Sequence, residues 1–390
     1  MIHLISVIYV IMNNVIDLII AYLPEVLIAI FGMVVLFQIL YYLLIFSRFS
    51  FHKQKSIENQ DIYPVSIVIT AKDDAHHLIK TLPEFLSQNY PQFEVVVVND
   101  NSKDETQQVI VDFQYRYPNL KLLHLESSVT NIKGKKFPLS LGIKAANYEH
   151  ILLTDSDCLP ASNQWLALME RHFNEHTKIV LGYNSIRKKI GLFNALIRFD
   201  KLHQAIQYFS YCLAKIPFMG VGQNLAYTKS IFFNNKGFAS QNHLQFGDDD
   251  LFINQVATAN NCAIEYSKEA HTLSRPNSNF GNWFLLKKFR SKTRNLYTKT
   301  DRVLLSFYNF LMPLSYIAFG CALYFSLPNL IFLIMVSSIL FIKITIQYFC
   351  FGYAAAKLNE KRLIPYILFF DILFSMLNPV VYLVSIIRKK

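Results

Sequence analysis

Long apolar runs without charge lie near both ends of the chain. Val26 to Phe46 contains no charged residue across 21 positions, and about 20 apolar residues are needed for an α-helix to cross the hydrocarbon core of a bilayer. We therefore predict a transmembrane helix at about residues 24–46. The preceding segment, Met1 to Leu23, is also apolar but carries Asp17, and no small-residue cleavage site follows it as a signal peptide would require. It is either an interfacial helix or a second span.

Three further apolar segments follow near the C-terminus. Val303 to Leu327 is free of charge. Leu330 to Ala356 contains a single charged residue, Lys343, and Leu363 to Ile387 contains only Asp371. Each segment is long enough for a transmembrane or re-entrant helix. Ionisable residues inside a bilayer often line a conduit, but a snorkelling lysine and an acid near the interface give the same pattern. The sequence leaves both explanations open.

Basic residues on the membrane flanks predict the orientation of the chain. They are concentrated in residues 48–55, after the first span, and in residues 357–362, between the last two. Because lysine and arginine favour the cytoplasmic side, we expect the middle of the chain in the cytoplasm. Residues 388–390 are also basic and oppose this orientation if the last segment crosses fully; a re-entrant segment would remove the conflict.

These segments divide the chain into three regions. Residues 1–47 and 303–390 are the predicted N- and C-terminal membrane regions, and residues 48–302 form a cytoplasmic domain between them. Segments near 190–215 and 280–302 mix apolar and basic residues and are predicted to lie at the membrane interface, although packing on the core gives 190–215 the same pattern. The sequence therefore predicts an integral protein of the inner, cytoplasmic membrane.

Charge and cysteine content narrow the range of partners. The net charge is +11, but the basic residues crowd the membrane flanks, so we expect membrane lipids as partners and no nucleic acid. The five cysteines show no paired-ligand spacing: Cys158, Cys212, Cys262, Cys321 and Cys350. Neither a disulfide framework nor a zinc site is expected.

Strand and helix patterns alternate in the middle of the chain. Apolar runs predict buried strands at residues 64–70, 94–98, 121–125 and 151–153. Helical spacing of apolar residues predicts helices between them, at residues 77–89, 105–116 and 136–146. This alternation predicts an α/β fold with a parallel sheet and helices on both faces, and such sheets bind ligands at the carboxyl ends of their strands.

Three of these strands stop on acidic residues. Asp73-Asp74 follows the first strand, Asp100 follows the second, and Asp155-Ser156-Asp157 follows the last. One aspartate at a strand end is usually a turn former or a helix cap. Acids at three corresponding ends point instead to a nucleotide site.

At these positions the sequence resembles the family 2 glycosyltransferases, and especially their membrane-anchored members. The resemblance covers about residues 65–294, and an ordered set of motifs carries it: Val65–Asp74, Val97–Thr106, Gly134-Lys135-Lys136, Thr154–Asp157 with Pro160 and Trp165, and Gly247–Leu251. It implies an inverting, nucleotide-sugar-dependent enzyme. The implied fold is α/β: a GT-A nucleotide-sugar-binding domain, which is Rossmann-like, flanked here by transmembrane α-helices.

The resemblance implies roles on the donor side of a site. Asp100 and Asp74 correspond to nucleoside contacts, where a carboxylate accepts hydrogen bonds; a helix N-cap explains Asp74 equally well. Asp155 and Asp157 correspond to the metal-binding Asp-x-Asp, with Asp157 as the direct ligand of Mg²⁺ or Mn²⁺ and Asp155 nearer the nucleoside. Lys135 is either a second positive charge near the nucleotide or a solvated surface lysine.

It also implies roles on the acceptor side. By the family pattern Asp249 is the general base and Asp248 its neighbour, and crowding of carboxylates should raise at least one pKa. An acidic helix start is the alternative. Gly222 and Asn224 correspond to the acceptor-binding segment, where glycine lets the backbone approach the sugar and asparagine bonds a hydroxyl; a plain glycine turn is the alternative.

The basic stretch ending at Arg290 occupies the place of the Gln-x-x-Arg-Trp signature of processive polysaccharide synthases. Only Arg290, expected near the diphosphate, matches the signature, since Lys287 stands in place of Gln and Ser291 in place of Trp. A helix that faces lipid headgroups is the alternative for this run. The mismatch favours transfer of a single sugar.

The sequence therefore predicts a metal-assisted inverting glycosyltransferase. It would transfer one sugar from a nucleoside-diphosphate sugar donor to a lipid-linked or growing glycan acceptor at the cytoplasmic membrane face. Two alternatives stay open: a processive polysaccharide synthase with a transmembrane glycan channel, and a non-catalytic membrane scaffold or transporter for glycan assembly.

Overall fold

The computed structural model describes the backbone of residues 2–54, 62–126, 134–276 and 279–387, and the side chains from residue 22 onward within those ranges. Ten strands lie in this part of the chain: β1 Val65–Ala71, β2 Phe93–Asp100, β3 Leu120–Leu125, β4 His150–Asp155, β5 Leu159–Pro160, β6 Ile179–Leu181, β7 Asn184–Ile186, β8 Leu225–Thr228, β9 Cys262–Ile264 and β10 Thr272–Ser274.

The helices of the described residues alternate with these strands and continue beyond them. The α-helices are α1 Ile2–Tyr41, α2 Ser47–Ser50, α3 Ala75–Leu86, α4 Thr106–Gln114, α5 Lys136–Ala145, α6 Trp165–Glu170, α7 Leu192–Leu213, α8 Lys229–Asn234, α9 Asp250–Val256, α10 Phe280–Arg294, α11 Lys299–Ser326, α12 Leu330–Lys357 and α13 Ile367–Ile387. A π-helical turn, Tyr42–Phe46, joins α1 to α2. Single 3₁₀ turns cover Ala239–Gln241, Lys268–Ala270 and Lys361–Tyr366.

Seven strands form the main sheet, in the order β3-β2-β1-β4-β8-β6-β9. The first four in that order are parallel neighbours, as the alternating pattern predicted. Their side chains enter two separate cores: Ile67 and Val97 pack with α3 and α4 on one face, whereas Val68 and Val96 pack with α5 on the other. Burial on both faces explains why these strands read as continuous apolar runs.

The second half of the sheet departs from this regular pattern. β8 is antiparallel to both β4 and β6, and a small second sheet forms in the order β5-β10-β7. These strands are two to four residues long, too short to show a periodicity in the sequence. The small sheet lies beside the acidic end of β4, because β5 begins four residues after Asp155.

Four helical segments are long and apolar enough to cross a membrane: Tyr22–Ser50, Lys299–Ser326, Leu330–Lys357 and Lys361–Ile387. They agree with the four spans expected from the sequence. The backbone upstream of the first belongs to the same helix, α1, which begins at Ile2. The basic residues 388–390 lie outside the described part of the chain.

The two charged residues of the apolar C-terminal segments lie close together. The ammonium of Lys343 is 4.0 Å from Oδ2 of Asp371 and 3.2 Å from Oγ of Ser315. Lys343 and Asp371 are 1% and 3% exposed. The lysine therefore does not snorkel, and the aspartate does not lie at an exposed interface: that explanation is wrong, and the two residues form a buried pair.

Helix α7 packs between the main sheet and the apolar helices. Phe199, Leu202 and Ile206 are almost completely buried, and the hydroxyl of Tyr211 bonds that of Tyr41 in α1. Burial on this scale corrects the prediction of an interfacial segment at 190–215 and favours core packing. Helix α10 differs, because it exposes apolar residues beside its lysines and arginines; its interfacial location stays a prediction.

Candidate active site

The acidic ends of β1, β2 and β4 meet at one edge of the main sheet. Thr70 lies opposite Asp155, and Ala71 lies opposite Asn99. Because these strands are parallel, the residues that follow them emerge on the same side. This edge brings together the predicted donor-side acids: Asp74, Asp100, Asp155 and Asp157.

Asp155 and Asp157 form the centre of this edge. Their carboxylate oxygens and the sulfur of Cys158 lie within 4.8 Å of one another. Oδ1 of Asp155 accepts a hydrogen bond from the ammonium of Lys135 at 2.6 Å. Burial raises the pKa of Asp157, and the charge of Asp155 adds to the shift. Burial acts in the same direction on Asp155, but Lys135 lowers the pKa of that carboxyl below its usual value.

This cluster fits a hard divalent cation. Two carboxylates offer oxygen ligands. The raised pKa of Asp157 shows that burial and the charge of Asp155 disfavour its ionised form, which a bound cation would stabilise. Cys158 is a poor ligand, because burial raises the pKa of its thiol, whose sulfur lies 3.1 Å from Oγ of Ser274. The donor set is therefore one of carboxylate oxygens.

Asp74 reaches toward the same cluster. It occupies the N-cap position of α3, but its side chain makes no capping hydrogen bond to that helix. Instead, Oδ2 accepts from the hydroxyl of Ser156 at 2.7 Å and from the backbone N–H of Lys72 at 3.2 Å. Asp100 lies next to it at the end of β2, with Oδ2 3.3 Å from the ammonium of Lys72. Lys72 therefore connects the two predicted nucleoside contacts.

A second wall of the site carries Asp248 and Asp249. Burial raises the pKa of Asp248 to about 7, and the charge of Asp249 adds to the shift, while Lys135 opposes it. Oδ2 of Asp249 accepts from the backbone N–H of Gly222 at 3.0 Å, and Oδ1 accepts from the N–H of Asp250 at 2.7 Å. Asp249 is thus the N-cap of α9 through one carboxylate oxygen, while the other oxygen binds the Gly222 backbone.

The third acid of this run has a different environment. Oδ2 of Asp250 accepts from the hydroxyls of Thr293 and Tyr297, at 2.5 and 2.8 Å, and the residue is 5% exposed. Burial raises its pKa to about 6, with a further contribution from Asp249. Asp250 therefore anchors α9 to α10 and is not open to a substrate.

Lys136 holds the segment that leads into these acids. Its ammonium donates to the carbonyl oxygens of Gln241, Leu244 and Phe246 at 3.0, 2.9 and 2.6 Å. Gly134 allows the close approach, because it has a φ of +86° and a Cβ there would lie 2.2 Å from the Gln245 carbonyl oxygen. The sequence contained both residues in one motif but did not separate the role of Lys136 from that of Lys135.

Asn224 does not fit its predicted role as a substrate ligand. Its side-chain oxygen accepts from Nε1 of Trp165 at 3.0 Å, and its amide nitrogen donates to the carbonyl oxygens of Tyr183 and Ala270 at 3.0 and 2.8 Å. The residue is 0% exposed. Because the amide oxygen and nitrogen of Asn224 both bond protein groups, the side chain offers the cleft neither a donor nor an acceptor for a substrate. Gly222, in contrast, lies against Asp249.

Gln223 and Lys201 belong to the site but were not predicted. The ammonium of Lys201 donates to Oε1 of Gln223 at 2.8 Å, and the carbonyl oxygen of Gln223 accepts from Oγ1 of Thr154, the neighbour of Asp155, at 3.1 Å. Burial lowers the pKa of Lys201 to about 8, and Arg290 adds to the shift while Asp249 opposes it. Gln223 stands inside the segment predicted to bind the acceptor, between Gly222 and Asn224, but no role was assigned to it. Lys201 lies in a helix without a recognisable motif, so no sequence signal marked it.

Arg290 lies on α10 at the edge of this basic group. Its charge is near Lys201 and near Asp200, which binds the ammonium of Lys287 at 2.6 Å and Nε1 of Trp283 at 3.0 Å. Lys287, which stands in the Gln position of the synthase signature, is therefore paired with α7. The predicted contact of Arg290 with a diphosphate stays a prediction.

Residues 66–232 match the family model described as Glycosyl transferase family 2. The chain carries a glycosyltransferase family 2 domain. The match begins in β1 and ends in α8, and so covers Asp74, Asp100, Asp155 and Asp157 but not Asp248 or Asp249. The resemblance noted from the motifs is confirmed.

Curated relatives align with part of this domain. A poly-beta-1,6-N-acetyl-D-glucosamine synthase of Staphylococcus epidermidis is 28% identical over 155 residues, which cover 39% of this chain and 34% of that protein. The protein of the same description from Staphylococcus aureus strain COL is 23% identical over 165 residues, or 42% and 37% of the two chains. The chain therefore spans about a third of the length of these relatives.

A solved structure supports the fold over most of the chain. A mannosyltransferase from Pyrobaculum calidifontis, in complex with GDP-Man and Mn²⁺, covers 91% of this chain and 99% of its own with a TM-score of 0.57 and 15% identity. The predicted fold, a GT-A domain with apolar helices at its flanks, is confirmed.

The geometry of the family 2 domain brings two acidic walls to one positive charge. The first wall is the sheet edge with Asp155 and Asp157, and the second carries Asp248 and Asp249. The ammonium of Lys135 bonds Asp155 on the first wall. The charge of Asp248 on the second wall raises the pKa of Lys135, and Lys135 in turn lowers the pKa of Asp248. Such a cleft can hold a cation and an anionic group on one side and accept a proton on the other.

Proposed function

We propose that this protein is a membrane-bound inverting glycosyltransferase that transfers a single sugar from a nucleoside-diphosphate sugar to a lipid-linked or growing glycan acceptor at the cytoplasmic membrane face. The observation that carries the proposal is that the segment Gly222–Gln223 contacts both walls: the Gly222 N–H donates to Oδ2 of Asp249 at 3.0 Å, and the Gln223 carbonyl oxygen accepts from Oγ1 of Thr154, next to Asp155, at 3.1 Å. This supports treating the two acidic walls as parts of one cleft.

The donor is held at the first wall. Asp100 and Asp74 accept hydrogen bonds from the nucleoside, and Asp157, with Asp155 beside it, holds Mg²⁺ or Mn²⁺. The ion supplies positive charge to the diphosphate. The ammonium of Lys135 bonds the carboxylate of Asp155, which supports a role for Lys135 as a second cation beside the departing diphosphate.

The acceptor approaches from the second wall. Its hydroxyl oxygen bonds the anomeric carbon as the bond from that carbon to the diphosphate oxygen breaks, and the proton passes to Asp249. The bond from the Gly222 N–H orients the carboxylate of Asp249. Asp248 keeps a raised pKa beside it, so the pair carries less than two full negative charges near neutral pH.

The test is a donor panel. The purified full chain is incubated with UDP- and GDP-sugars, with Mg²⁺ or Mn²⁺ and membrane extract, and free nucleotide and lipid products are followed by mass spectrometry. One donor should release nucleotide and add one sugar mass to a lipid, and Asp157→Asn should abolish both. Metal-independent turnover, or no nucleotide binding at all, would contradict the proposal; the latter would support a scaffold or transporter.

A processive synthase is the second candidate, and the relatives described as poly-beta-1,6-N-acetyl-D-glucosamine synthases favour it. On that reading UDP-N-acetylglucosamine would be the donor and the buried Lys343 and Asp371 would lie along a glycan path. The same donor panel separates the two. A ladder of products that grows from protein and donor alone indicates a synthase, whereas a single addition that needs an acceptor indicates single transfer.

A further inference from the structure

A cavity of about 580 Å³ lies on the far side of the small sheet from the catalytic acids. Alternation along β10 separates the two sides. Oγ of Ser274 contacts Cys158, and Oγ1 of Thr272 donates to the Gln223 carbonyl, so both face the acidic cleft. Leu273 between them lines the cavity, together with Ser185 of β7. The cavity is therefore a separate space behind the active site.

The opposite wall comes from the turn that joins two apolar helices. Leu358, Asn359 and Glu360 follow α12 and precede the 3₁₀ turn before α13. The ammonium of Lys188 donates to the Asn359 carbonyl oxygen at 2.5 Å. A ligand in the cavity would therefore contact both the family 2 domain and the helices of the membrane region.

Cations surround the mouth of the cavity. Arg187, Lys188 and Lys268 line it, and all three are exposed. Partial burial lowers the pKa of Lys188, and the positive charges of Arg198, Arg362 and Lys268 lower it further. The negative charge of Glu360 acts in the opposite direction. Like charges crowded around a concave surface favour binding of an anion.

A buried acceptor lies deeper in the cavity wall. Glu360 is 1% exposed and pairs through Oε2 with the guanidinium of Arg198, at 3.0 Å from Nε. Oε1 of the same carboxylate has no hydrogen-bond partner among the described residues. A buried acceptor without a partner costs free energy unless a ligand or water donates to it. Because Arg198 neutralises Glu360, the three mouth cations outweigh Glu269, the remaining acid of the lining.

We propose that this cavity binds a phosphate ester that carries a free hydroxyl group, with the phosphate held by Lys188 and Lys268 and the hydroxyl donating to Oε1 of Glu360. Phosphate oxygens match the ammonium groups through charge-assisted hydrogen bonds. The cavity opens beside the end of α12, so the phosphate reaches it either on a lipid headgroup or on a soluble metabolite.

The test measures binding by the full chain in phosphatidylcholine nanodiscs. One arm titrates sn-glycerol 3-phosphate, and a second replaces part of the lipid with phosphatidylglycerol; the rise in Tm reports binding in both. The test variant is Lys188→Gln with Lys268→Gln, both exposed residues. Because Lys188 also bonds the Asn359 carbonyl oxygen, each rise in Tm is measured from the ligand-free Tm of the same variant. The matched control is Lys144→Gln with Lys236→Gln, two exposed lysines away from the cavity.

The proposal predicts that at least one source raises the Tm, and that the test variant binds it at least about tenfold more weakly while the control does not. A response in the first arm alone identifies a soluble ester, and in the second alone a lipid headgroup. Equal binding by the wild type and the test variant, or no binding in either arm, would overturn the proposal.

A third variant separates this cavity from the catalytic cleft. Lys135→Met removes a cation from the cleft, so binding should survive in it; loss in Lys135→Met with retention in the Lys188/Lys268 variant would place the phosphate in the cleft and overturn the proposal. Inorganic phosphate, which lacks the alcohol, should bind more weakly than sn-glycerol 3-phosphate. Equal affinities would rule out the role assigned to Glu360.

Discussion

The ammonium of Lys136 lies 2.6 Å from the backbone carbonyl oxygen of Phe246. Two further carbonyl oxygens complete its hydrogen bonds, and the side chain is 0% exposed. Phe246 stands two residues before Asp248. A single buried lysine therefore fixes the segment that carries the proposed base, while its neighbour Lys135 points into the cleft.

Replacing Lys136 should reduce stability, whereas replacing its neighbour Lys135 should mainly reduce nucleotide binding. Lys136→Met leaves three buried carbonyl oxygens unpaired, and we expect a loss of about 3 kcal/mol or more in stability. Lys135→Met removes a half-exposed ion pair worth about 1 kcal/mol or less, but it should weaken nucleotide binding. Thermal unfolding and nucleotide titration of both variants test this. Similar losses of Tm in the two variants would contradict the division of roles.

The charge of Asp157 should destabilise the metal-free protein. Burial and the nearby Asp155 raise its pKa, which means that the folded state disfavours its ionised form. Asp157→Asn should therefore keep or raise the Tm without metal, and it should abolish the increase in Tm that Mn²⁺ and nucleotide cause together. Asp112→Asn, an exposed site on α4, is the control. A metal-induced increase that persists in Asp157→Asn would move the ligand elsewhere.

Asp248 should make stability depend on pH. Burial raises the pKa of its carboxyl to about 7 in the folded state, against 3.8 for a solvated aspartate. Between these values the folded state keeps a proton that the unfolded state has lost, so stability falls as pH rises from about 4 to about 7. Asp248→Asn should reduce this slope, measured as Tm against pH, whereas Asp112→Asn should not. Identical slopes in wild type and Asp248→Asn would refute the assignment.

The parallel half of the sheet could be predicted because each strand is buried on both faces. Ile67 and Val68 of β1 enter different cores, and so do Leu152 and Leu153 of β4, so each strand is a largely apolar run that leads into acids. The position of Asp155 at the sheet edge follows from the run in β4. The acidic edge could therefore be inferred from local sequence alone.

The opposite side of the cleft could not be inferred in the same way. Asn224 stands beside a glycine-rich turn and looked like a ligand, yet it immediately precedes a four-residue strand and satisfies buried backbone groups. Lys201 and Gln223 meet across 22 positions in sequence. Such contacts depend on how α7 packs against the sheet, and a helical pattern does not specify which residue of the helix faces a distant loop.

The buried pair of Lys343 and Asp371 in the C-terminal apolar helices gives a prediction about stability. Lys343→Met leaves Asp371 without its cation, and we expect a loss of roughly 3 kcal/mol or more because an unpaired buried charge is costly. Lys343→Met combined with Asp371→Leu removes both charges and should restore much of the lost Tm. A single variant as stable as wild type would contradict a stabilising role for the ion pair.

Asp249 and Asp250 are neighbours that should fail in different ways. Asp249→Asn offers one amide oxygen in place of the two carboxylate oxygens that accept from Gly222 and Asp250. We therefore expect the loss of one backbone hydrogen bond, about 1 kcal/mol of stability, while nucleotide affinity should be preserved. Loss of the proton acceptor should lower kcat by roughly 10²-fold to 10⁴-fold.

Asp250→Asn puts an amide group where Thr293 and Tyr297 donate, which should cost about 1–3 kcal/mol of stability. Turnover per folded molecule should change much less than in Asp249→Asn. Unfolding curves and kcat, measured on the same preparations with the donor found by the panel, give both quantities. If Asp249→Asn keeps its turnover while Asp250→Asn loses turnover without unfolding, the proton acceptor is Asp250. The residues around α9 would then have to rearrange when the acceptor binds.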